Sequence, residues 1–275
     1  MQQRISELLA KHGITEMAPI SLSKCKVIKP YLLERAGIAR GSVFLFAVPY
    51  YTTKCDDSAR NISAYAVSRD YHRFFRALFD EILPVLQSEF PSHRFAGFTD
   101  HSPIAEAAAA VAAGLGFFGR NHLFLTEAHS SFVFLGEIIT DAELNLPKQE
   151  PRSCDGCNAC LRACPVGLDS TRCLSALTQK KGALSVEESD MLLQHGCAWG
   201  CDICQTVCPV TKRAKARGTL YSSIPFFAED ALTHLTTDLV CSMPDEEFTT
   251  RAYAWRPREV LLRNLALLEK GAAHD

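Results

Sequence analysis

The chain contains two cysteine-rich segments from which its interpretation follows: Cys154-Asp155-Gly156-Cys157-Asn158-Ala159-Cys160-Leu161-Arg162-Ala163-Cys164-Pro165 and Cys201-Asp202-Ile203-Cys204-Gln205-Thr206-Val207-Cys208-Pro209. Their spacings are C-x2-C-x2-C-x3-C-P and C-x2-C-x3-C-P. This combination is typical of bacterial ferredoxins that hold two [4Fe–4S] clusters. A zinc site needs only four ligands, so the further cysteines and both Cys-Pro steps would have no role in it. The pattern therefore predicts two iron–sulfur clusters rather than zinc or structural disulfides.

The ferredoxin spacing also predicts which cysteines share a cluster, because the cysteine before the proline binds the neighbouring cluster. The first cluster is expected to be held by Cys154, Cys157, Cys160 and Cys208. The second is expected to be held by Cys164, Cys201, Cys204 and one further thiolate. Cys173 and Cys197 are both candidates for that last position, and spacing alone does not separate them.

The composition is that of an ordinary globular protein. The 275 residues are 47% hydrophobic and 22% charged, which allows one large or two smaller domains. The 29 basic and 31 acidic side chains give a formal charge of −2, so no overall basic field attracts nucleic acid. The cysteines gather in the middle of the chain, and no apolar run reaches the length of a membrane span. These features predict a cytoplasmic protein without a membrane anchor.

Two local groups of basic residues depart from this balance. Four follow the last cysteine, namely Lys212, Arg213, Lys215 and Arg217. Four more lie near the C-terminus, namely Arg251, Arg256, Arg258 and Arg263. Each group is interpreted either as a solvated face or as a patch that contacts phosphates.

The apolar pattern predicts a mixture of strands and helices. Continuous apolar runs predict strands at 42–50, 94–99, 121–126 and 131–140, the last of them central. Apolar residues at helical spacing predict helices at 4–12, 62–90 and 257–268, with Pro84 kinking or dividing the second. Ser102 and Pro103 are typical of the start of another helix, which would end at Gly114. Residues 145–152 are expected to be a linker, and the chain is polar from Cys208 to about Ser223.

Asp100 follows the predicted strand at 94–99 directly. A carboxylate there either stabilises the N-terminus of the next helix or donates a proton at the mouth of a pocket, and the pattern favours neither. The nearby run from Gly114 to Gly119 has the letters G-x-G-x-x-G. It ends a helix and leads into a strand, which is the reverse of a dinucleotide fingerprint. We interpret it as a helix-ending turn, or as a turn that lets the backbone approach a large planar ligand.

Several segments together resemble the epoxyqueuosine reductase family. They are Tyr65-Ala66-x-x-Arg69-Asp70-Tyr71-His72, Thr99-Asp100-x-x-Pro103-Ile104, Ala113-Gly114-Leu115-Gly116, Phe132-x-Phe134-Leu135-Gly136-Glu137, the cysteines from Cys154, Asp169-x-x-Arg172-Cys173, Gly200-Cys201-Asp202-Ile203-Cys204-Gln205 and Leu262-Arg263-Asn264. The resemblance covers most of residues 60–210 in order. It departs from the family at Ala64, where Arg is expected, and at Val210, where Trp is expected.

The resemblance implies an oxidoreductase that uses cobalamin and two [4Fe–4S] clusters. The family removes an epoxide oxygen from epoxyqueuosine in the tRNA anticodon loop, and it is related to reductive dehalogenases. By position, Asp100 matches the family's proton donor, which burial beside the corrin would keep protonated. Cys173 matches the family's extra cluster ligand. The cobalamin contacts implied in the same way are Asp70, Tyr71, Asn121, His122, Ser131, Gly136 and Thr178.

We therefore expect an α+β fold in three parts. Residues 1–148 would form a nitroreductase-like cobalamin-binding domain, 149–215 a ferredoxin-like module with two [4Fe–4S] clusters, and 216–275 a helical segment packed on the core. The expected partners are tRNA, bound through the local basic patches, and an external low-potential electron donor. The sequence also lacks a C-terminal helical-repeat region expected in longer members. A corrinoid reductase of another small substrate and a pure two-cluster electron carrier remain as alternatives.

Overall fold

The computed structural model describes residues 1–144, 146 and 152–272, which form a mixed α and β protein. The strands are β1 Glu16–Ser21, β2 Ser42–Pro49, β3 Phe95–Phe98, β4 Phe117–Phe118, β5 Phe124–Leu125 and β6 Val133–Thr140. The helices before the cysteine segments are α1 Gln2–Lys11, α2 Pro30–Ala36, α3 Tyr71–Glu89 and α4 Glu106–Ala112. The later helices are α5 Ala159–Ala163, α6 Leu174–Thr178, α7 Val186–His195, α8 Ile203–Thr206, α9 Pro209–Ala216, α10 Thr237–Ser242, α11 Asp245–Phe248 and α12 Arg258–Ala272.

Four of the strands form one antiparallel sheet in the order β1-β2-β6-β3. All eight residues of β2 are buried, which confirms the predicted buried strand. The predicted central position of β6 is also confirmed, since β6 pairs with β2 on one side and β3 on the other. The sequence analysis missed β1, whose six residues include Pro19 and show no clear alternation.

Each face of the sheet is covered by a helix. The apolar stripe of α3 packs on the face that carries Phe44 and Phe46. The small residues of α4 pack on the opposite face, which carries Leu45 and Ile139. At Gly136 a Cβ atom would lie 2.3 Å from the Phe75 ring, so only glycine lets α3 approach β6 this closely.

The predicted helix at 62–90 is wrong in its first part. The helix begins at Tyr71, and Asp70 is its N-cap, because the Asp70 side chain accepts a hydrogen bond from the backbone N–H of His72. Ile62 instead pairs with Trp199 in an isolated bridge. Pro84 lies inside α3 without dividing it.

The predicted helix start at Ser102 is also wrong. The helix begins at Glu106, because the residues before it pair with another segment. Ile104 forms a bridge with Val27, and the Ala105 N–H donates to the Lys26 carbonyl. These tertiary hydrogen bonds hold the segment extended despite its favourable capping residues.

The remaining predictions are confirmed only in part. The strand expected at 121–126 is reduced to the two residues of β5, which pair with β4. The C-terminal helix is present as α12, and helix α9 occupies the segment expected to be merely polar. The expected linker at 145–152 lies almost wholly outside the described residues. None of the described helices is long and apolar enough to cross a bilayer.

Candidate functional site

The cysteine segments line two separate cavities. The first cavity is narrow, about 20 Å³ in volume, and includes Cys154, Cys157, Cys160 and Cys208 in its wall. The second is about 660 Å³ and includes Cys164, Cys173, Cys201 and Cys204. All twelve cysteines of the chain are free thiols, so no disulfide competes for them. The folded chain thus places together the same two groups of four that spacing and resemblance predicted.

Cys197 lies outside both cavities. Its thiol donates to the carbonyl of Trp199 at 3.4 Å, and burial raises the pKa of this thiol to about 11. The Cys173 side chain lies on the wall of the second cavity instead. The position of the side chains therefore distinguishes the two candidates, because Cys173 lines the second cavity and Cys197 does not.

Within the described ranges, no three His, Cys, Asp or Glu side chains converge tightly enough for a single metal ion. A cubane binds its four thiolates at separate corners, so its ligands are spread more widely than those of one ion. The two groups of cysteines share cavities without forming such a single-ion site among the described residues.

A buried carboxylate fixes the second cysteine segment to the rest of the protein. Asp202, between Cys201 and Cys204, is 8% exposed at its side chain and lies 2.8 Å from the Arg60 guanidinium. It also accepts hydrogen bonds from the Ala64 N–H at 2.8 Å and from the Ser63 hydroxyl. The charge is therefore paired and hydrogen-bonded, as a buried carboxylate requires.

Gln205 extends this network to the wall of a third cavity. Its side chain donates to Asp202 at 3.1 Å and accepts from the Ser131 hydroxyl at 2.9 Å. Ser131 lines a hollow of about 210 Å³ at the end of the sheet. The other residues of this hollow are Tyr71, Thr99, Asp100, Glu106, Leu123, Phe124, Val133, Phe134 and Leu135. We call it the Asp100 hollow.

Asp100 lies on the rim of the hollow in an unusual backbone conformation. Its φ is +58°, a left-handed value that is unfavourable for most residues other than glycine. Its carboxylate is 68% exposed and lies 3.6 Å from Nε2 of His72, whose Nδ1 lies 2.8 Å from Asp70. The bond to Asp70 raises the pKa of His72. The protein by itself therefore leaves the Asp100 side chain exposed.

The site contains two further acids that the sequence analysis did not select, the partly buried Glu106 and the fully buried Glu137. Burial raises the pKa of Glu106 to about 7, and the negative charge of Asp100 acts in the same direction. Burial also raises the pKa of Glu137, with the neighbouring Glu106 as the next cause. Glu137 belongs to the run at 132–137 that resembles the family. The only sign of a special role in the sequence was a charged residue in the middle of a predicted buried strand.

The residues predicted as cobalamin contacts do not all lie together. Tyr71 and Ser131 line the Asp100 hollow, and Asp70 lies next to it through His72. Asn121 and His122 line the cavity of the second cysteine group. Two others line none of the three cavities: Gly136 packs against Phe75, and Thr178 is fully buried in hydrogen bonds to Gly200 and Asn264. Their predicted roles stay predictions.

Most of the basic residues near the C-terminus form intramolecular hydrogen bonds or ion pairs. Arg251 is buried against Glu247, and Arg258 lies 2.7 Å from Asp245 and also donates to the Met243 carbonyl. Arg263 donates to the carbonyl of Lys180. Arg256 stacks on the exposed ring of Trp255, with 3.8 Å between the guanidinium carbon and the ring centroid.

The basic group after Cys208 is also largely paired with acids. Lys215 pairs with Asp56, Arg217 with Glu127, and Arg213 lies 4.0 Å from Asp155. Intramolecular pairs of this kind leave less charge for phosphates than the sequence suggested.

An exposed surface of mixed character lies beside Asp100. Val27, Ile28 and Tyr31 are each more than 40% exposed. Both ring nitrogens of His101 are engaged, with Lys29 Nζ at 3.1 Å and the Tyr31 hydroxyl at 3.0 Å. The segment is fastened further by the Pro103 carbonyl, which accepts the N–H groups of residues 28 and 29. We call residues 27–31 with His101 the rim surface.

Comparison with known proteins gives a consistent result. Residues 38–101 match a family model described as epoxyqueuosine reductase QueG, DUF1730. The chain is 35% identical over 217 residues to an epoxyqueuosine reductase of Gloeobacter violaceus, covering 75% of this chain and 68% of the relative. It is 37% identical over 166 residues to one of Pseudomonas aeruginosa, covering 57% of this chain and 45% of that protein. The corresponding protein of Escherichia coli is 31% identical over 73% of this chain and 53% of its own length.

Solved structures show the same fold. An epoxyqueuosine reductase from Streptococcus thermophilus superposes with a TM-score of 0.76 at 20% identity, covering 100% of this chain and 82% of the other. A second, crystallised with an epoxyqueuosine-modified tRNA-Tyr stem loop, also gives 0.76 at 23% identity, covering 97% of this chain and 80% of the other.

The Asp202 network predicts that two aspartates that both pair with arginine contribute very differently to the free energy of unfolding. We expect Asp202→Asn to lower the free energy of unfolding by about 3–5 kcal/mol, because it leaves a buried arginine without its partner. The matched control is Asp245→Asn, since the Asp245 side chain is 96% exposed and exposed pairs contribute about 0–1 kcal/mol. Anaerobic chemical denaturation of both variants measures this, and equal losses would contradict the assigned role of Asp202.

Proposed function

This chain belongs to the epoxyqueuosine reductase family, and from that premise we propose that it reduces epoxyqueuosine to queuosine in tRNA. The observation that carries the proposal is an acid-lined hollow joined by Ser131 and Gln205 to the segment that bears the cysteines. The proposal has four parts: the clusters, the cobalamin, the proton donor and the RNA.

We propose that each group of four cysteines binds one [4Fe–4S] cluster. Cys154, Cys157, Cys160 and Cys208 would hold the first. Cys164, Cys173, Cys201 and Cys204 would hold the second. Four thiols around a common cavity have the ligand chemistry that such clusters require. An external low-potential donor would supply the electrons.

We propose that cobalamin binds over the Asp100 hollow. The hollow has aromatic side chains in its wall that could contact part of a large planar ligand, namely Tyr71 and Phe134, whose rings stack on each other with centroids 4.0 Å apart. Its 210 Å³ is smaller than a whole corrinoid, so the rest would lie on the open surface beside it. Ser131 lines the hollow and Asp70 lies next to it, so these two polar side chains would help to hold the group. The proposed contacts from Asn121 and His122 would come from the cavity of the second cysteine group. When bound, cobalamin would supply low-valent cobalt chemistry that no side chain provides.

Asp100 is the proposed proton donor. Removing the epoxide oxygen as water consumes two protons, and a carboxyl on the rim of the hollow is within reach of a substrate bound there. The backbone of Asp100 has a left-handed conformation, and strained conformations of this kind are common in functional sites.

The tRNA is proposed to approach across the rim surface. Exposed aromatic and basic side chains are suited to stacking on unpaired bases and to contacting phosphates, and Tyr31 and Lys29 lie directly beside Asp100 through His101. The crystallised relative with a modified tRNA stem loop supports RNA as the substrate class.

The arrangement of the chain is also part of the proposal. Residues 1–148 would be a nitroreductase-like domain that binds cobalamin, 149–215 a ferredoxin-like module, and 216–275 a helical segment packed on the core. The sheet and its flanking helices lie in the first part. Buried residues of α12, including Leu261 and Leu265, belong to the same apolar cluster as α3, which supports the packing of the last part on the core.

The cluster assignment predicts different outcomes for two cysteine variants. We expect Cys173→Ser to lose about half of the iron and acid-labile sulfide, because a cluster with three thiolates is labile. We expect Cys197→Ser to keep the wild-type content. Iron and sulfide analysis after anaerobic purification measures both, and the reverse result would transfer the ligand role to Cys197.

The proton-donor role predicts that Asp100→Asn loses turnover but keeps its cofactors. We expect turnover of an epoxyqueuosine-containing tRNA to fall by about 10²–10⁴, the usual contribution of a general acid, while cluster and cobalamin absorption stay unchanged. The matched control is Asp57→Asn, an aspartate that lies outside the hollow. Full activity of Asp100→Asn would remove this residue from the mechanism, and absence of a cobalamin spectrum in wild type would favour a pure electron carrier.

The rim surface predicts weaker binding of RNA in Tyr31→Ala. Loss of one stacked base is expected to weaken binding by about 1–3 kcal/mol, with little change in the dependence of the dissociation constant on salt. Lys29→Ala should instead reduce that salt dependence by about one phosphate contact. Titrations of both variants with the tRNA over a range of salt concentrations measure this, and unchanged affinity in both would place the RNA elsewhere.

A further inference from the structure

The Asp100 hollow has a second acid behind it to which the proposed mechanism gives no role. Glu137 lies in β6 on the face that packs against α4, in line with the apolar Leu135 and Ile139. Its exposure is 0%. Neither carboxylate oxygen has a hydrogen-bond donor in acceptable geometry within residues 1–144, 146 and 152–272. An ionised carboxylate in such a place would be strongly unfavourable.

The group beside Glu137 is a second carboxyl. Glu106, in the first turn of α4, lies next to it together with the Ser102 hydroxyl. Two carboxyls in contact cannot both ionise readily, whereas one proton between them gives each a hydrogen-bond partner. Glu137 needs a hydrogen-bond partner, and Glu106 lies next to it. Both observations therefore favour one proton shared between the two carboxyls.

Glu106 also reaches the site itself. It lines the Asp100 hollow, and its Oε2 accepts the backbone N–H of Asp100 at 3.2 Å. This bond helps to hold the left-handed backbone of Asp100. The other titratable groups that face the two carboxyls are Asp100, Lys29 and Tyr71 around Glu106 and Cys25 near Glu137. Lys29 favours the ionised form of Glu106, and it is already engaged with His101.

We propose that Glu106 and Glu137 share one proton at neutral pH, that Glu106 positions Asp100, and that the pair supplies the second proton of the reduction. The proposal rests on the proposed function. In that reaction the two C–O bonds of the epoxide break, a C=C bond forms, and the oxygen leaves as water. Two electrons would come from an external low-potential one-electron donor. One proton comes from Asp100 and the other from the pair, which is refilled from solvent through the hollow.

The shared proton has a consequence for folding that does not depend on activity. Burial raises the pKa of Glu106 from 4.5 to about 7, so the folded state binds the proton more tightly than the unfolded state. The stabilisation is complete below the unfolded value of about 4.5 and is lost as the pH rises through about 7. We therefore expect the free energy of unfolding to fall between about pH 5 and 7.

The first experiment tests the protonation state in the full chain purified anaerobically. Infrared spectra of wild type at neutral pH should contain the C=O band of a buried protonated carboxylic acid, and Glu137→Gln should lose it. The amide of this variant donates to Glu106, which then ionises. The same variant should show a smaller fall in unfolding free energy between pH 5 and 7. Glu34→Gln, at an exposed glutamate of α2, is the matched control and should resemble wild type.

The second experiment tests the role in turnover. In Glu137→Gln we expect kcat at pH 7.5 to fall at least tenfold, the alkaline limb of the pH profile to move to lower pH, and KM to stay within twofold. A loss of equal size at every pH would show a structural role only and would overturn the proposal. Glu106→Gln, which keeps an oxygen for the Asp100 N–H, should lose activity without losing the fold.

The two experiments fail independently. If the infrared band is missing in wild type, or persists in Glu137→Gln, the shared proton is disproved even in a fully active enzyme. If no epoxyqueuosine is reduced by wild type, the proposed function fails, while the infrared and stability measurements still decide whether the pair holds a proton.

Discussion

The buried pairing of Asp202 with Arg60 is the contact that relates the two halves of the proposed chemistry. Asp202 stands between two cysteines of the second segment, and its partners, residues 60–64, lead directly to the start of α3. Because an unpaired charge at this position would be costly, the cysteine segment and the N-terminal part are held in one relative position. The hydrogen bond from Ser131 to Gln205 extends the same constraint to the wall of the hollow.

This constraint gives the site a simple layout. Residues 119–125 contribute to the walls of both cysteine-lined cavities and of the Asp100 hollow. The proposed clusters and the proposed proton donor would therefore both lie next to this segment.

The acidic character of the hollow follows from where its carboxyls lie in the fold. Asp100 is on a strained, exposed turn, Glu106 is at the start of a short helix, and Glu137 is inside a central strand. Asp100 is exposed, Glu106 is partly buried in the wall of the hollow, and Glu137 is fully buried. Burial raises the pKa of Glu106 and Glu137, so these two carboxyls favour keeping a proton.

The sequence predicted the sheet strands at 42–50 and 131–140 and the long helix that ends near Phe90 because these segments are apolar in a simple period. It failed where tertiary hydrogen bonds overrode local signals. Ser102 and Pro103 would begin a helix in isolation, but the segment pairs with Lys26 and Val27. Residues 62–70 have helical spacing, but they bond to Trp199 and to the Asp202 carboxylate.

The same distinction applies to the site. Cysteine spacing by itself predicted most of the two thiol groups, because the ferredoxin pattern specifies which cysteines share a cluster. Asp100 could be identified as a candidate from the sequence because a polar residue at the end of a predicted strand is a local feature. The neighbourhood of Glu106 and Glu137, 31 positions apart in the numbering, was decided only by the packing of α4 on β6. So was the place of Cys173 on a cavity that Cys197 does not reach, since contact between distant residues depends on how the elements pack.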